Sequence, residues 1–315
     1  MESNFKKDVC EGLSKENKTL SSMYFYDDEG SRIFQEIMAM PEYYLTNCEY
    51  EILSEQGKAI GENLSYTQPF RLIELGAGDG TKTFELIRNF QENGYEFEYL
   101  PVDVSRGALD SLEEKIKSSN LEVKYQLMQG DYFEVLNALP QDKPALYLFL
   151  GANIGNYNPA EALDLVQRIG SNMRSGDHLM IGFDLKKDSS IVHKAYDDPH
   201  GITKRFNMNL LTRMNRELGL NFDLNQFDFV CNYNPDNGEI RSYLKSLSDQ
   251  SVGVNGSAFY FKKGELINTE LSKKYDLEEI ELLAGNSGFN VKSNYLDKNN
   301  YFTDSLWVKK QGQLK

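Results

Sequence analysis

The chain has 315 residues, 40% of them hydrophobic, and 34 basic against 48 acidic side chains give a net charge of −14. That length supports one large or two modest domains, and an acidic balance without any Lys/Arg-rich run argues against RNA or DNA as a partner. Three scattered cysteines (Cys10, Cys48, Cys231) and three histidines (His178, His193, His200) lack ligand spacing, so no disulfide framework and no metal are expected; with no apolar h-region and no membrane-spanning apolar run, a soluble, cytoplasmic protein is expected.

In chain order, residues 1–47 precede any sheet-like pattern. From 71 to 187, strands alternate with helices. The predicted strands are RLIELG (71–76), FEYLPVDV (97–104), VKYQLMQGD (123–131), ALYLFLGAN (145–153) and HLMIGFDL (178–185). KTFELIRNFQ, RGALDSLEEKIKSS and PAEALDLVQRIGSNMRSG are the helices between them, the last with Pro159 near its first turn and a stop at Gly176. Continuous apolar runs such as ALYLFL suit a parallel sheet buried on both faces. The alternation predicts a doubly wound α/β sheet that binds ligands outside the carboxyl ends of its strands. Residues 188–273 break the pattern: a helix over 201–219, a hairpin turning at Pro235-Asp236-Asn237-Gly238, then strand, turn and strand end over 257–271. A helix and strand follow in DLEEIELLAGNSGFNVKSNYLD, and YFTDSLWVKK reads as a last, alternating strand.

The glycine turn RLIELGAGDGTKT (71–83), followed by Asp103 at the end of the next strand, carries the chemistry. Glycines let backbone approach a ligand where a Cβ would clash, and an acid ending the second strand accepts hydrogen bonds from ribose hydroxyls. Gly76, Gly78 and Gly80 give G-x-G-x-G, which misplaces the third glycine of a dinucleotide fingerprint. A phosphate loop needs a glycine where Thr81 stands, before Lys82-Thr83. The run Glu74-Leu75-Gly76-Ala77-Gly78-Asp79-Gly80 instead matches the E-x-G-x-G-x-G of S-adenosylmethionine sites. With no diphosphate to neutralise, Glu74 and Asp79 are tolerable near a sulfonium cation.

Several further stretches are specific: YFYDDEGSRIFQEIMAMPEYYLTNCEYEIL (24–53), GANIGN (151–156), KAYDDPHGITKRFNMNLL (194–211), NRELGLNFDL (215–224) and NTELSKKY (268–275). Together with the glycine turn and YLPVDVS, they resemble the histidine-specific Nα-methyltransferases of ergothioneine biosynthesis over roughly residues 20–310. The resemblance implies a Rossmann-like, S-adenosylmethionine-dependent methyltransferase sheet (48–187 plus 274–315) and an inserted α+β substrate-binding domain (1–47 plus 188–273). It implies methylation of the α-amino group of L-histidine, up to the trimethylated betaine hercynine, by a monomer with a small-molecule partner. It places Gly76, Gly78, Lys82, Asp103, Asp131 and Tyr132 at the cofactor: Asp103 on the ribose, Asp131 on the adenine amino group, Tyr132 against the ring, where the family often has Phe. It places Tyr26, Tyr43, Asn156 and Tyr196 at the amino-acid backbone, with Tyr26 the proton acceptor, and Glu270 and Ser272 at the imidazole. Ser242 stands where relatives typically carry Met, a smaller residue that enlarges the side-chain pocket. The family also includes fungal enzymes acting on a prenylated tryptophan, so a tryptophan derivative or other modified amino acid is the alternative acceptor.

Overall fold

The computed structural model describes residues 2–119, 121–254 and 257–311. The chain begins with α1 (Glu2–Leu13), β1 (Lys18–Thr19), α2 (Asp28–Met38) and α3 (Tyr44–Leu64). The alternating stretch follows as β2 (Phe70–Leu75), α4 (Thr83–Glu92), β3 (Phe97–Asp103), α5 (Arg106–Ser118), β4 (Lys124–Tyr125), β5 (Met128–Gln129), α6 (Tyr132–Ala138), β6 (Ala145–Phe149), α7 (Pro159–Ser171) and β7 (His178–Asp184). Next come α8 (Ser189–Tyr196), α9 (Ile202–Leu218), β8 (Phe227–Asn234), β9 (Glu239–Ser246), β10 (Gln250–Val254), β11 (Ser257–Phe261) and β12 (Leu266–Lys273). The chain closes with α10 (Leu277–Asn286), β13 (Phe289–Leu296) and β14 (Phe302–Lys309). Polar caps fix the helix starts. Ser105 accepts from the Ala108 amide, and Asn158/Glu161 and Asp276/Glu279 form reciprocal capping boxes. Pro159 occupies the first turn of α7, where its missing N–H leaves no helical bond unmade.

The chain divides into two compact units. One runs to Tyr44 and resumes over Lys187–Lys273; the other is Leu45–Lys186 and the chain from Lys274 onward.

In the second unit an eight-stranded sheet has the order β13-β14-β7-β6-β2-β3-β4, with β5 also paired to β3. Strands β7, β6, β2 and β3 run parallel, and β14 is antiparallel to both its neighbours. From β2 the chain moves outward to β3 and then returns to the other side at β6. The strand order therefore reverses between β2 and β6, the point where a doubly wound sheet opens a crevice. Leu72, Ile73, Leu75, Leu146 and Leu148 are fully buried there, as strands covered on both faces require. The predicted strand 123–131 is two short pieces, β4 and β5, each paired to β3. The expected alternation in YFTDSLWVKK is absent: every residue from Phe302 to Trp307 is buried. The reason is position, since β14 lies inside the sheet between β7 and β13 and both of its faces are covered. Trp307 stacks on Phe183 with ring centroids 5.8 Å apart and lies 5.9 Å from Phe289.

The first unit holds a four-stranded sheet, β1-β12-β9-β8, and a separate pair, β10-β11. Phe206, Leu210 and Leu211 of α9 share a core with Phe25, Leu244 and Ile267. The β8–β9 hairpin closes over residues 235–238, with Gly238 at φ +72°. The strands predicted over 257–271 are β11 and β12, which pair with different neighbours, β10 and β9. Strand β12 is irregular. Asn268 lies opposite Tyr243 but Glu270 lies opposite Ser242, so Thr269 is an extra residue in a β-bulge.

Candidate active site

The glycine turn leaves β2 with three residues in the left-handed region: Gly76 (φ +75°), Gly78 (φ +53°) and Gly80 (φ +67°). Their surroundings differ. A Cβ on Gly76 would fall 2.7 Å from the Tyr132 hydroxyl, and one on Gly80 would fall 2.3 Å from Leu112 Cδ1. A Cβ on Gly78 would meet nothing within 4 Å. Gly76 and Gly80 are thus confined by the protein itself, whereas Gly78 faces open space. Asp103, ending β3, accepts from the Gly78 amide at 3.1 Å and the Ser105 amide at 2.8 Å. Each carboxylate oxygen has two lone pairs, so both keep capacity for a ligand hydroxyl. Asp131 caps α6, accepting from the Phe133 and Glu134 amides on Oδ1 alone. Tyr132 begins that helix, and burial, then the Asp103 charge, hold its phenol protonated.

Lys82 precedes α4 and pairs with Glu49 of α3, which is almost fully buried while Lys82 keeps 24% of its side chain exposed. The other oxygen of Glu49 accepts from the Gly151 amide at 2.6 Å. Gly151 (φ +80°) opens the segment after β6 that runs through Ala152 (φ +55°) into a 3₁₀ turn, Asn153–Asn156. Asn156 therefore sits on the β6 side of the crevice, and its side chain is half-buried.

In the first unit, Tyr26 ends a 3₁₀ turn and is 46% exposed. It meets Phe34 edge-on at 5.4 Å; Phe34 meets Tyr43 at 6.3 Å, and Tyr43 meets Tyr196 at 6.4 Å. The Tyr196 hydroxyl lies 2.9 Å from Ser272 Oγ. Residues opposite one another in a sheet share a face. Ile267 opposite Leu244, Glu270 opposite Ser242 and Ser272 opposite Ile240 therefore all face the α9 side. Without the bulge, Glu270 would lie opposite Arg241 and face the other way. Thr269 stays buried, donating to Asn207 Oδ1 at 2.7 Å, and Ser242 donates to Glu270 Oε2 at 3.4 Å. His193 and His200, which flank Tyr196 in sequence, are exposed.

Residues 5–309 match the family model described as "Histidine-specific methyltransferase, SAM-dependent". The chain belongs to this methyltransferase family. It is 35% identical over 272 residues to histidine N-alpha-methyltransferase of Mycobacterium tuberculosis, covering 86% of this chain and 84% of that protein. It is 32% identical over 306 residues to the enzyme of the same name from Mycolicibacterium smegmatis, covering 96% and 94%. It is also 24% identical, over 91% of its length and 90% of the other's, to 4-dimethylallyltryptophan N-methyltransferase of Claviceps purpurea.

The cofactor of this methyltransferase is S-adenosylmethionine, and the sheet is the family's Rossmann-like sheet. The turn fits that cofactor on its own terms: the open side of Gly78, the spare lone pairs of Asp103 and the exposed part of Lys82 offer room, acceptors and a cation. No helix among the described residues is long and apolar enough to cross a membrane, and no cluster of potential metal ligands occurs among them. The two acids of the turn, Glu74 and Asp79, already have protein partners. Glu74 is buried behind the turn, accepting from Thr83 Oγ1 at 2.5 Å and from the Tyr99 hydroxyl. Burial pushes its carboxyl up to about 7 against the lowering effect of those hydrogen bonds. Asp79 pairs with Lys115 at 2.6 Å. Glu49 was missed altogether, because nothing local distinguishes it from the other acids of an amphipathic helix.

Proposed function

We propose that the enzyme transfers methyl groups from S-adenosylmethionine to the α-amino nitrogen of L-histidine, up to three times, acting as a monomer in the cytoplasm. The observation that carries the choice of acceptor is the shared face of β9 and β12. Glu270, Ser272 and Ser242 lie there together, with Tyr196 against Ser272. Glu270 accepts the imidazole N–H and Ser272 supplies a second polar contact. A buried carboxylate left unpaired by an apolar side chain costs binding, which is how such a site rejects the wrong amino acid. Tyr43, Tyr196 and Asn156 hold the amino-acid backbone through neutral donors. Gly76, Gly78, Lys82, Asp103, Asp131 and Tyr132 hold the cofactor.

Bound S-adenosylmethionine supplies a methyl group on a sulfonium, which leaves as the neutral thioether. The protein's own part is to hold the amine nitrogen close to and in line with that carbon, an effect worth several powers of ten in rate. The α-ammonium must lose its proton first. The Tyr26 hydroxyl takes it while releasing its own proton to water, so the phenol stays neutral, and the Tyr26 and Tyr43 rings shelter the growing cation by about 0.5–2 kcal/mol. A Tyr26→Phe enzyme with all three methylation rates unchanged would remove that role. The deciding experiment is a mass-spectrometric screen of the twenty amino acids with an isotopically labelled donor. A labelled product from histidine is expected; its absence sinks the acceptor assignment.

A second reading rests on Ser242. Its small side chain beside Glu270 suits a larger acceptor, such as the tryptophan derivative named for the Claviceps purpurea relative. Under that reading Glu270→Ala spares turnover of the indole acceptor, whereas it cripples an enzyme whose acceptor is histidine.

A further inference from the structure

Glu49 of α3 lies far in sequence from the glycine turn and from Asn156, yet four features of the second unit converge on it. Its two oxygens take different partners, Lys82 on one side and the Gly151 amide at 2.6 Å on the other. Gly182 in β7 leaves space for it: a Cβ there would fall 2.4 Å from Glu49 Oε1. Asp304 of β14 stands opposite Gly182 in the register and faces Glu49. Neither Asp304 oxygen has a donor from the described residues, although the residue is fully buried.

We propose, resting on the cofactor and acceptor assignments above, that Glu49 is a positioning residue that clamps Lys82 of the glycine turn to the Asn156-bearing segment after β6, and that Asp304 holds it in place as a neutral acid. The crevice between β2 and β6 has a turn on each side, and each belongs to a different substrate. Glu49 is a single side chain bonded to both, so donor binding at Lys82 and the placement of Asn156 share one anchor. Its charge is matched once, by Lys82. A second ionised carboxylate in the same dry site would be uncompensated and without donors. Burial first, and the Glu49 charge second, push Asp304 well above the usual carboxylate range. Its proton makes the contact with Glu49 a hydrogen bond instead of a repulsion.

The test uses three purified variants of the whole chain: Glu49→Gln, Asp304→Asn and the double variant Lys82→Met/Glu49→Gln, with Lys82→Met as reference. S-adenosylhomocysteine affinity is measured by calorimetry, KM for histidine (or for whichever amino acid the wild type methylates) at saturating donor, and Tm by scanning fluorimetry. Glu49→Gln is expected to weaken S-adenosylhomocysteine by about tenfold, the order of a lost charge-assisted hydrogen bond, and to raise the acceptor KM as well. Asp304→Asn carries an amide that donates as the protonated acid does, so both quantities should stay within about twofold of wild type. Should Glu49→Gln fail to fold, the double variant decides. Removing both partners leaves no unpaired charge, so its Tm should exceed that of Lys82→Met. Unchanged donor affinity in Glu49→Gln, a changed donor affinity with unchanged acceptor KM, an Asp304→Asn loss as large as that of Glu49→Gln, or a double variant no more stable than Lys82→Met would each overturn the proposal. The calorimetric arm needs no acceptor. A wild type that binds S-adenosylhomocysteine but methylates no histidine therefore refutes the acceptor reading and leaves the Glu49–Lys82 measurement decisive.

Discussion

The glycine turn after β2 and the bulged strand β12 solve recognition in opposite ways. At the turn the backbone does the work: three consecutive alternate glycines at positive φ, and an acid whose oxygens are already fixed by amides. At β12 side chains do the work, and the backbone's contribution is one extra residue that decides which face they occupy. The first device is local and tolerates little change in any one residue. The second depends on register against β9, so its weak point is length.

Inserting one alanine between Thr269 and Glu270 separates the two most sharply. With the bulge at Thr269 kept, the added residue moves Glu270 opposite Arg241 and turns every later residue of β12 over, including Glu270 and Ser272. Histidine turnover should fall by roughly a hundredfold or more, as expected when a binding group is misplaced, while calorimetric affinity for S-adenosylhomocysteine stays within about twofold. Retained histidine turnover would show that the face is not what selects the acceptor. Glu270→Ala removes the carboxylate without moving the strand, so kcat/KM for histidine should drop about tenfold to a hundredfold with donor affinity again unmoved. The reciprocal change is Gly76→Ala. It meets both a left-handed φ and the Tyr132 hydroxyl, and should weaken S-adenosylhomocysteine by about tenfold or more. Histidine KM at saturating donor should change less than donor affinity.

The smallest effect concerns what supports the turn. Burial raises Glu74 from the ordinary 4.5 to about 7, so the folded state holds a proton that the unfolded chain has released between those values. The group's stabilisation is complete below pH 4.5 and lost as pH rises through about 7. Glu74→Gln should therefore match wild type in Tm at pH 4 and exceed it at pH 8. Equal Tm differences at both pH values would mean that folding leaves the titration of Glu74 unshifted.

The same contrast explains what could be read in advance. The parallel strands, the helix starts at Pro159 and Asp276, and the glycine turn are visible because each depends on a run of neighbours. The acceptor residues came only from resemblance to a family. No spacing rule lifts Glu270 from among 48 acidic residues, and the bulge that orients it arises from pairing with residues 239–245. Glu74 and Glu49 were hidden for a related reason. Nothing in the sequence shows that a carboxylate is buried, and only burial reveals that Glu74 supports the turn from behind and Glu49 faces Lys82.

Strand β14 has a consequence for how the chain is made. It is the latest strand among those described, yet it lies in the sheet interior, zipped to β7 on one edge and β13 on the other. Until residues 302–309 leave the ribosome, β7 keeps an open edge and Phe183 lacks the ring it stacks on. The methyl-donor half therefore cannot close until Phe302–Lys309 has been made, which makes a nascent chain stalled before Phe302 a natural substrate for chaperones and proteases.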